Sequence, residues 1–445
     1  MGKLRLLPAA MAGLCAAVLG VTACSSSSSS STSTSTSTST STSPSASASA
    51  SASATSAAVQ GISGTTIKVG GIFENSDFPG TQQGFEARID RANKTHELGK
   101  YTIQLVGMQD DAQSPATDLS DVQNLVERQG VYAVAPVVSA GFSSTSAEFL
   151  QQKGIPYFGA GFTNGFCLPY TIQLSAVGCA IGGSYFSTAP VDLVAKALGK
   201  PVSQLTWAFV GEAIPTGTQA DNDYADAVKL GGGKVVYNQA VVPVTGGNLG
   251  PIVNAVEAAK PDVVWVVAGS QAIAMKGAFK ASGYTGTLVD SDSYIPGLLQ
   301  ESPAVAAALN GTYVQTTTPV LEQKTPFVQQ MAADYTAAGI PAKDITFGGE
   351  YAYMTADDMI ALLKKIAPNF GAVESTLKNG FSYSPTTGGT PMNYPFLADA
   401  PTTCGSVLKV VNGAYTTATP FSCSTSYFST AGGTLKPTTE PSPVG

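Results

Sequence analysis

The chain has 445 residues, with 23 Lys and Arg against 30 Asp and Glu, so its formal net charge is −7. This length allows two ordinary domains once the ends are set aside, and the acidic balance excludes an extended basic surface for nucleic acid. Charged residues make up only 12% of the chain, about half of the usual share, so we expect a largely uncharged surface.

The N-terminus has the features of an export signal in residues 1–23. Lys3 and Arg5 precede an apolar run from Leu6 to Val21, which is short for a membrane span and typical of a signal peptide. The run ends in a small residue followed by Cys24, which resembles a bacterial lipoprotein box. We therefore predict a lipid on Cys24 and an anchor on the extracytoplasmic face of a bacterial membrane, at the cell surface in a Gram-positive-type envelope.

A low-complexity tract follows the signal. From Ser25 to about Val59 the chain contains almost only Ser, Thr and Ala. It has no large apolar residue to bury, so we predict that residues 24–63 are a disordered, lipid-anchored linker between the membrane and a folded body.

The first half of the body alternates apolar strands with one-sided amphipathic helices. The predicted elements are a strand at 67–73, a helix at 82–94, a strand at 101–107, a helix at 115–129, a strand at 132–138, a helix ending at Gly154 and a strand at 155–158. This order is typical of an α/β fold with a doubly wound parallel sheet.

Two loops of this half are rich in small residues. One loop, residues 139–144, follows the strand that ends at Val138, and the other, residues 159–164, follows the strand that ends at Phe158. Ligands of parallel sheets bind at the carboxyl ends of the strands, where small residues allow close approach to the backbone. We expect both loops to contact a small ligand.

The same pattern repeats in a second half. Its predicted strands are 206–210, 234–237, 262–268, 287–289 and 311–315, and its predicted helices are 189–198, 219–230, 251–260 and 272–282. The loops 269–271 and 290–294 are expected to face the same cleft as the first two. Helices at 325–338 and 349–366 then return to the first lobe, so that more than one segment joins the lobes.

Motifs for catalysis are missing from the sequence. His96 is the one histidine, and there is no Gly-x-Ser-x-Gly, no phosphate-binding Gly-rich loop followed by Lys and Ser or Thr, and no Cys-x-x-Cys or His-Glu-x-x-His spacing. We therefore predict a protein that is not an enzyme and that uses no cofactor or metal.

Four cysteines remain after the signal peptide and the lipidation site are removed. An even number in an exported protein favours disulfides over metal binding. Three pairings are possible for Cys167, Cys179, Cys404 and Cys423, and the two local bonds, Cys167 with Cys179 and Cys404 with Cys423, are preferred.

Several stretches of the body resemble the type I periplasmic-binding-protein fold. They are Thr66–Ile72, Gln109–Asp111, the spacing from Val134 through the loop at Ser139 to the loop at Gly159, Pro261–Val264 with Gly269, and Ala308–Val314. The resemblance is to the leucine/isoleucine/valine-binding branch of solute-binding lipoproteins for ABC importers. It implies two lobes joined by a multi-crossing hinge: a first lobe of residues 64–184 with 316–395, and a second lobe of residues 185–315 with 396–428. Residues 429–445 are predicted to form a disordered tail.

The resemblance also implies a set of ligand contacts. A ligand carboxylate is expected at Ser139, Ala140, Gly141 and Thr163, and an ammonium at the Gly161 carbonyl and Asp292. Side-chain contacts are expected from Phe78, Phe142, Phe162, Gln271 and Tyr294.

The expected function is capture of a small polar solute, an amino acid or a related compound, and its delivery to the permease of an ABC importer. The alternative is a receptor of the same fold that senses the ligand and signals to a partner without feeding a permease. Ala140, Phe162 and Asp292 depart from the residues usual in this branch, and the loop at 74–80 is short, so the sequence leaves the ligand open.

Overall fold

The structure is a computed structural model that describes residues 59–291, 293–424, 426–429 and 436–439. The predicted signal peptide, Cys24, most of the linker and Asp292 lie outside these residues. Within the described part of the chain, no helix combines the length and the apolar character needed to cross a membrane.

The strands and helices are numbered separately in chain order. The strands are β1 Ile62–Ser63, β2 Thr66–Phe73, β3 Thr102–Asp110, β4 Ala133–Val138, β5 Tyr157–Gly159, β6 Gln173–Ser175, β7 Tyr185–Phe186, β8 Thr206–Glu212, β9 Lys234–Val242, β10 Val263–Val267, β11 Thr287–Asp290, β12 Tyr313–Thr316, β13 Phe381–Tyr383, β14 Met392–Tyr394, β15 Cys404–Val411, β16 Ala414–Cys423, β17 Ser426–Ser429 and β18 Lys436–Thr439. The helices are α1 Thr81–Lys94, α2 Pro115–Gln123, α3 Ser144–Lys153, α4 Ala189–Ala197, α5 Pro215–Leu230, α6 Gly250–Ala258, α7 Ala272–Ser282, α8 Pro296–Glu301, α9 Pro303–Leu309, α10 Pro326–Ala337, α11 Phe347–Ile366 and α12 Val373–Asn379.

The first sheet has the parallel strand order β3-β2-β4-β5-β6, with the short β1 antiparallel to the start of β2. Helices α1 and α11 cover one face, where Phe85 and Met359 join the same core as Val69. Helices α2 and α3 cover the other face through Val122 and Leu150. Continuous apolar strands of this kind are stable because both faces are buried. We call this sheet and its helices the first lobe.

The second sheet has the order β9-β8-β10-β11-β12-β15-β16, in which β15 and β16 are antiparallel. Its interior strand β10 reads Val-Val-Trp-Val-Val and separates two cores, one around Trp207 and Trp265 and one around Met275 and Phe279. We call this sheet and its helices the second lobe. The predicted α/β fold with parallel sheets is confirmed.

Segments that pass between the two sheets are bonded to one another. The amide of Cys179 donates to the carbonyls of Leu397 (2.8 Å) and Ala400 (2.9 Å), and the amide of Thr402 donates to the carbonyl of Val177 (2.8 Å). The disulfides are Cys167–Cys179, at the start of one crossing, and Cys404–Cys423, which joins β15 to β16. These are the two local pairings that the sequence favoured.

Several elements run further than the sequence indicated. Strand β8 was expected to end at Val210 and continues to Glu212, because its ladder with β9 extends to that residue. The stretch after α12 includes a long β15–β16 hairpin, for which no individual strands were predicted. At the ends, Ile62–Ser63 in the predicted linker pairs with β2, and Lys436–Thr439 in the predicted tail pairs with β17.

Candidate ligand-binding cleft

A cavity of about 200 Å³ lies at the carboxyl ends of both sheets. The first lobe contributes Asp77, Phe78, Ala140, Phe162, Phe347 and Tyr351 to its lining. The second lobe contributes Glu212, Ile214, Thr216, Asp223, Tyr224, Gly269, Ser291 and Gln315, and the segments between the sheets contribute Val177, Ile181, Phe186, Thr317 and Thr402. The predicted location of a ligand site at the strand ends therefore coincides with a cavity to which both lobes contribute.

The first-lobe wall is a layer of packed aromatic rings. Phe78 stacks on Phe162 with centroids 4.9 Å apart and on Phe347 with centroids 5.7 Å apart. Tyr351 meets the edges of Phe162 (4.8 Å) and Phe347 (4.5 Å), and its hydroxyl lies 2.5 Å from the Oγ1 of Thr317. Phe347 and Tyr351 belong to the first two turns of α11, which thus positions half of this wall. The wall offers a large apolar surface with one hydroxyl.

The second-lobe wall carries carboxyl groups. Glu212, at the end of β8, is only 4% exposed, and its Oε1 has no hydrogen-bond partner among the described residues. Burial, together with the charge of Asp77, raises the pKa of Glu212 to about 7. Asp223 on α5 is half-buried, and burial raises its pKa to about 6, although its carboxylate accepts a hydrogen bond from Gln219 (2.9 Å). The ring of Tyr224 also lines the cavity and stacks on the ring of Trp265, with centroids 4.5 Å apart.

One hydrogen bond of Asp77 crosses the cleft, and a second one holds its carboxylate within the first lobe. Its Oδ1 accepts from the amide of Ser270 in the second lobe (2.7 Å), and its Oδ2 accepts from the Nε2 of Gln113 in the first lobe (2.8 Å). Gly269 makes this approach possible, because a Cβ at that position would lie 2.0 Å from the Asp77 carboxylate. The structure is therefore one in which the two lobes touch across the cavity.

The loop after β4 binds groups of the protein itself. The amide of Gly141 donates to the Oγ of Ser139 (2.8 Å), which in turn donates to Asp111 (2.6 Å). The amide of Ala140 donates to the Oε2 of Glu74 (3.3 Å). Burial and the neighbouring Asp77 raise the pKa of Glu74 to about 9, so this carboxyl is protonated at neutral pH. The carboxyl group of Glu74 thus accepts the hydrogen bond of the Ala140 amide, which the resemblance assigned to a ligand carboxylate.

Among the predicted contact residues, the cavity lining includes Phe78, Ala140 and Phe162. Phe142 is buried instead against Tyr157 and Phe166, at 5.4 and 5.3 Å. Gly161 packs against the carbonyl of Gly178, where a Cβ would come within 2.0 Å, and its own carbonyl accepts from the amide of Ala180 (3.1 Å).

Three further predicted contacts, Thr163, Gln271 and Tyr294, are not among the residues that line the cavity. Thr163 is 4% exposed, and its Oγ1 has no hydrogen-bond partner in the described part of the chain. Gln271 donates to the carbonyl of Val244 (3.3 Å), and the buried Tyr294 donates to Glu322 (2.8 Å). Asp292 lies outside the described residues. The roles of these residues in ligand binding stay predictions.

Sequence reasoning missed most of the second-lobe wall. Glu212 stands two residues past the predicted end of its strand, and Asp223 and Tyr224 lie on the predicted helix 219–230, for which no ligand contact was expected. Asp77 and Phe347 were also missed. The available signal was the strand-end rule, which would have included Glu212 if the apolar run had been extended through Gly211.

Residues 64–413 match the model of the periplasmic binding protein family, and the chain therefore belongs to this family. The predicted resemblance to the type I fold is confirmed. Membership makes the chain an extracytoplasmic solute-binding protein and not an enzyme.

Solved structures share the fold at low sequence identity. A solute-binding protein of an ABC transporter from R. palustris, in complex with 4-hydroxybenzoate, is 16% identical with a TM-score of 0.66, over 80% of this chain and 97% of that one. A fatty acid ABC transporter substrate-binding protein from Thermomonospora curvata is 18% identical with a TM-score of 0.66, over 82% and 94%. A possible leucine/isoleucine/valine-binding protein from Rhodopirellula baltica SH 1 is 14% identical with a TM-score of 0.61, over 81% and 98%. No curated protein matches the chain.

Proposed function

We propose that the protein captures a small polar solute, an amino acid or a related compound, between its lobes and delivers it to the permease of an ABC importer. The observation that carries this proposal is the cavity at the carboxyl ends of both sheets, lined by both lobes and by the segments between them. Two of the similar structures are proteins of ABC transporters, one of them in complex with an aromatic acid, which supports a permease as the partner.

Capture in this proposal depends on closure of the lobes. The Asp77 contact with the Ser270 amide exists only when the lobes meet. A ligand that touches both walls stabilises the closed form over an open one. The free energy of closure shifts by the difference between the binding free energies of the ligand for the closed and the open form. The bonded crossings between the sheets restrict the motion to opening and closing.

A thermal-shift screen of the folded unit, Ala57 to Gly445, tests capture. The screen uses amino acids, amines, amides, aromatic acids and sugars. A ligand at 100 times its dissociation constant should stabilise the protein by about 2.7 kcal/mol, which raises the melting temperature. Small-angle scattering with the best compound should show no larger radius of gyration than without it. If no compound of any class raises the melting temperature, capture of a small solute is rejected.

A lipid on Cys24 is part of the same proposal, because it would hold the binding protein beside its permease. In cells that express the full chain, we expect the protein in the membrane fraction, and we expect Cys24→Ala to move it into the soluble extracytoplasmic fraction. Release without loss of total protein is the supporting result. An unchanged membrane fraction for Cys24→Ala contradicts the anchor.

A further inference from the structure

The charges around the cavity are all of one sign. Its lining contains the carboxyl groups of Asp77, Glu212 and Asp223, and no Lys, Arg or His occurs among the described residues of this lining. Asp292 follows Ser291, which belongs to the lining, but lies outside the described residues. An anionic solute would enter this cavity without a cationic partner, and such a buried charge is costly.

The buried basic residues Arg88 and Lys276 do not line the cavity and are held in ion pairs. Arg88 is paired with Glu97 (2.9 Å) and with Asp357 (2.5 Å) between α1 and α11. Lys276 is fully buried in an ion pair with Asp290. Both cations are thus bound to carboxylates of the protein itself, so neither is available to neutralise an anion in the cavity.

The backbone amides that could bind a ligand carboxylate already donate hydrogen bonds to side chains of the protein. Ala140 belongs to the cavity lining, but its amide donates to Glu74, and the amide of Gly141 donates to Ser139. A ligand carboxylate would have to displace a side chain that is already buried. A solute that lacks a carboxylate does not meet this obstacle.

Two further features of the cavity favour a positive charge. Glu212 lines it while more than nine-tenths buried, with an Oε1 that has no hydrogen-bond partner among the described residues, although Gln113 lies beside the same carboxyl. Aromatic rings from both lobes line it as well: Phe78, Phe162, Phe186, Tyr224, Phe347 and Tyr351. Ring faces attract ammonium groups, and a desolvated carboxylate gains most from a cationic partner.

We propose that the captured solute is an organic cation without a carboxylate, an amine or a quaternary ammonium compound, held by Glu212 and Asp223 and packed against the aromatic rings of the first lobe. This inference rests on the proposed function and narrows its solute class. Such an amine is related to an amino acid by loss of the carboxyl group.

Matched probes separate charge from shape. Titration calorimetry with benzylamine, benzamide and benzoate compares a cation, a neutral amide and an anion of one size. Leucine and 3-methylbutylamine differ in the carboxylate alone, and choline and 3,3-dimethylbutanol differ in the charge. We expect the cation of each set to bind at least tenfold more tightly than its counterparts.

Two variants test the assigned residues. Glu212→Gln keeps the shape of the side chain and should weaken the best cation at least tenfold while leaving the melting temperature of the free protein unchanged or higher. Asp226→Asn is the control, because Asp226 lies on the same helix as Asp223 and is paired with Lys229 at the surface (2.8 Å). It should change the affinity less than twofold.

The possible outcomes test the cation assignment separately from the proposed capture of a solute. Tighter binding of benzoate, leucine or a neutral counterpart would overturn the cation assignment and leave solute capture standing. A cation affinity that Glu212→Gln alters less than twofold would overturn the role of that residue. Binding of none of these probes, together with a negative screen of all solute classes, would overturn both proposals.

Discussion

The two walls of the cleft differ in what their side chains contribute to the fold. On the first-lobe wall, Phe78, Phe347 and Tyr351 are 6%, 3% and 2% exposed and pack on one another, so the same rings form the cavity surface and the core. On the second-lobe wall, Glu212 is equally buried, but one of its carboxylate oxygens has no hydrogen-bond partner among the residues that the structure describes. The first wall is stabilising in the free protein, and the second is costly until something binds to it.

This contrast makes opposite predictions for substitutions on the two walls. Truncation on the first wall should cost stability as well as affinity, because it opens a cavity in packed aromatic surface. Neutralisation on the second wall should cost affinity and leave stability unchanged or higher. The largest effect should therefore come from the aromatic layer.

Phe162→Ala is expected to give that largest effect. Phe162 is partly buried, stacks on Phe78 and meets Tyr351, so its loss should destabilise the first lobe by about 2–4 kcal/mol. Affinity for any captured solute should fall in parallel. The melting temperature and a calorimetric titration measure the two effects.

Phe149→Ala is the matched control for this substitution. Phe149, on α3, is another partly buried phenylalanine of the first lobe; it packs against the core on the α2–α3 face of the sheet and does not line the cavity. It should lower the melting temperature without changing affinity. If Phe162→Ala alters stability no more than an exposed substitution does, the first wall is not part of the core.

Glu74→Gln should give the next largest effect, and it should be stabilising. The folded-state pKa of Glu74 is raised to about 9 by burial and by Asp77, so the carboxyl takes up a proton when the chain folds at neutral pH. For a raised pKa, the stability contribution is complete below the unfolded pKa and is lost as pH rises through the folded value. A glutamine reproduces the protonated form without this dependence.

We therefore expect Glu74→Gln to stabilise the protein by about 1–3 kcal/mol at pH 8 and by much less near pH 5. Melting temperatures of both proteins across this range measure the difference. Asp110→Asn is a suitable control, because Asp110 is an exposed acid nearby that accepts a hydrogen bond from the Ala112 amide (3.1 Å). A difference that is independent of pH would show that Glu74 is ionised in the folded protein.

The contrast between the walls also explains what the sequence could predict. The parallel sheets and the loops after β4 and β5 follow from apolar runs and from the rule that ligands bind at strand ends, whereas the ring positions Phe78 and Phe162 came from the family resemblance. Those signals are local. The packing of an apolar wall leaves a mark in the sequence because hydrophobic periodicity is what builds the core.

The polar side of the cleft left no such mark. That Glu212 lines the cavity depends on the β8–β9 ladder, and that Glu74 binds the Ala140 amide depends on a contact between residues 66 positions apart. The short first loop was visible, but its carboxyl group could not be placed against the loop after β4. Such contacts are set by the tertiary arrangement of elements, which no local pattern encodes.

Asp77→Asn tests the contact between the walls and should have a moderate effect. An asparagine can accept only one of the hydrogen bonds that now come from Ser270 and Gln113. Loss of one charge-assisted hydrogen bond costs about 1.5–3 kcal/mol, and we expect this cost in the closed form. Affinity should fall about tenfold, and scattering should show a larger radius of gyration without ligand. Neutral and charged solutes should lose affinity alike if the contact acts by closing the cleft.

The smallest effect that we predict comes from pH acting on the second wall. Because burial raises the pKa of Glu212 to about 7, most of its charge is present at pH 8 and lost at pH 6. The raised pKa of Asp223, about 6, adds to this loss at the lower end of the range. If an ionised Glu212 is required for binding, the affinity for a cation should fall about tenfold between pH 8 and pH 6, because the ionised fraction of a group with a pKa near 7 falls about tenfold over this range.

Titrations with the tightest cation across this range measure how steeply the affinity depends on pH. Glu212→Gln is the control, and it should reduce this dependence to the contribution of Asp223. An affinity that rises as the pH falls would mean that the carboxyl group of Glu212 binds its ligand in the protonated form, and the second wall would then be a hydrogen-bond donor instead of a charge. An affinity that stays constant would mean that the ionisation of Glu212 does not change over this range.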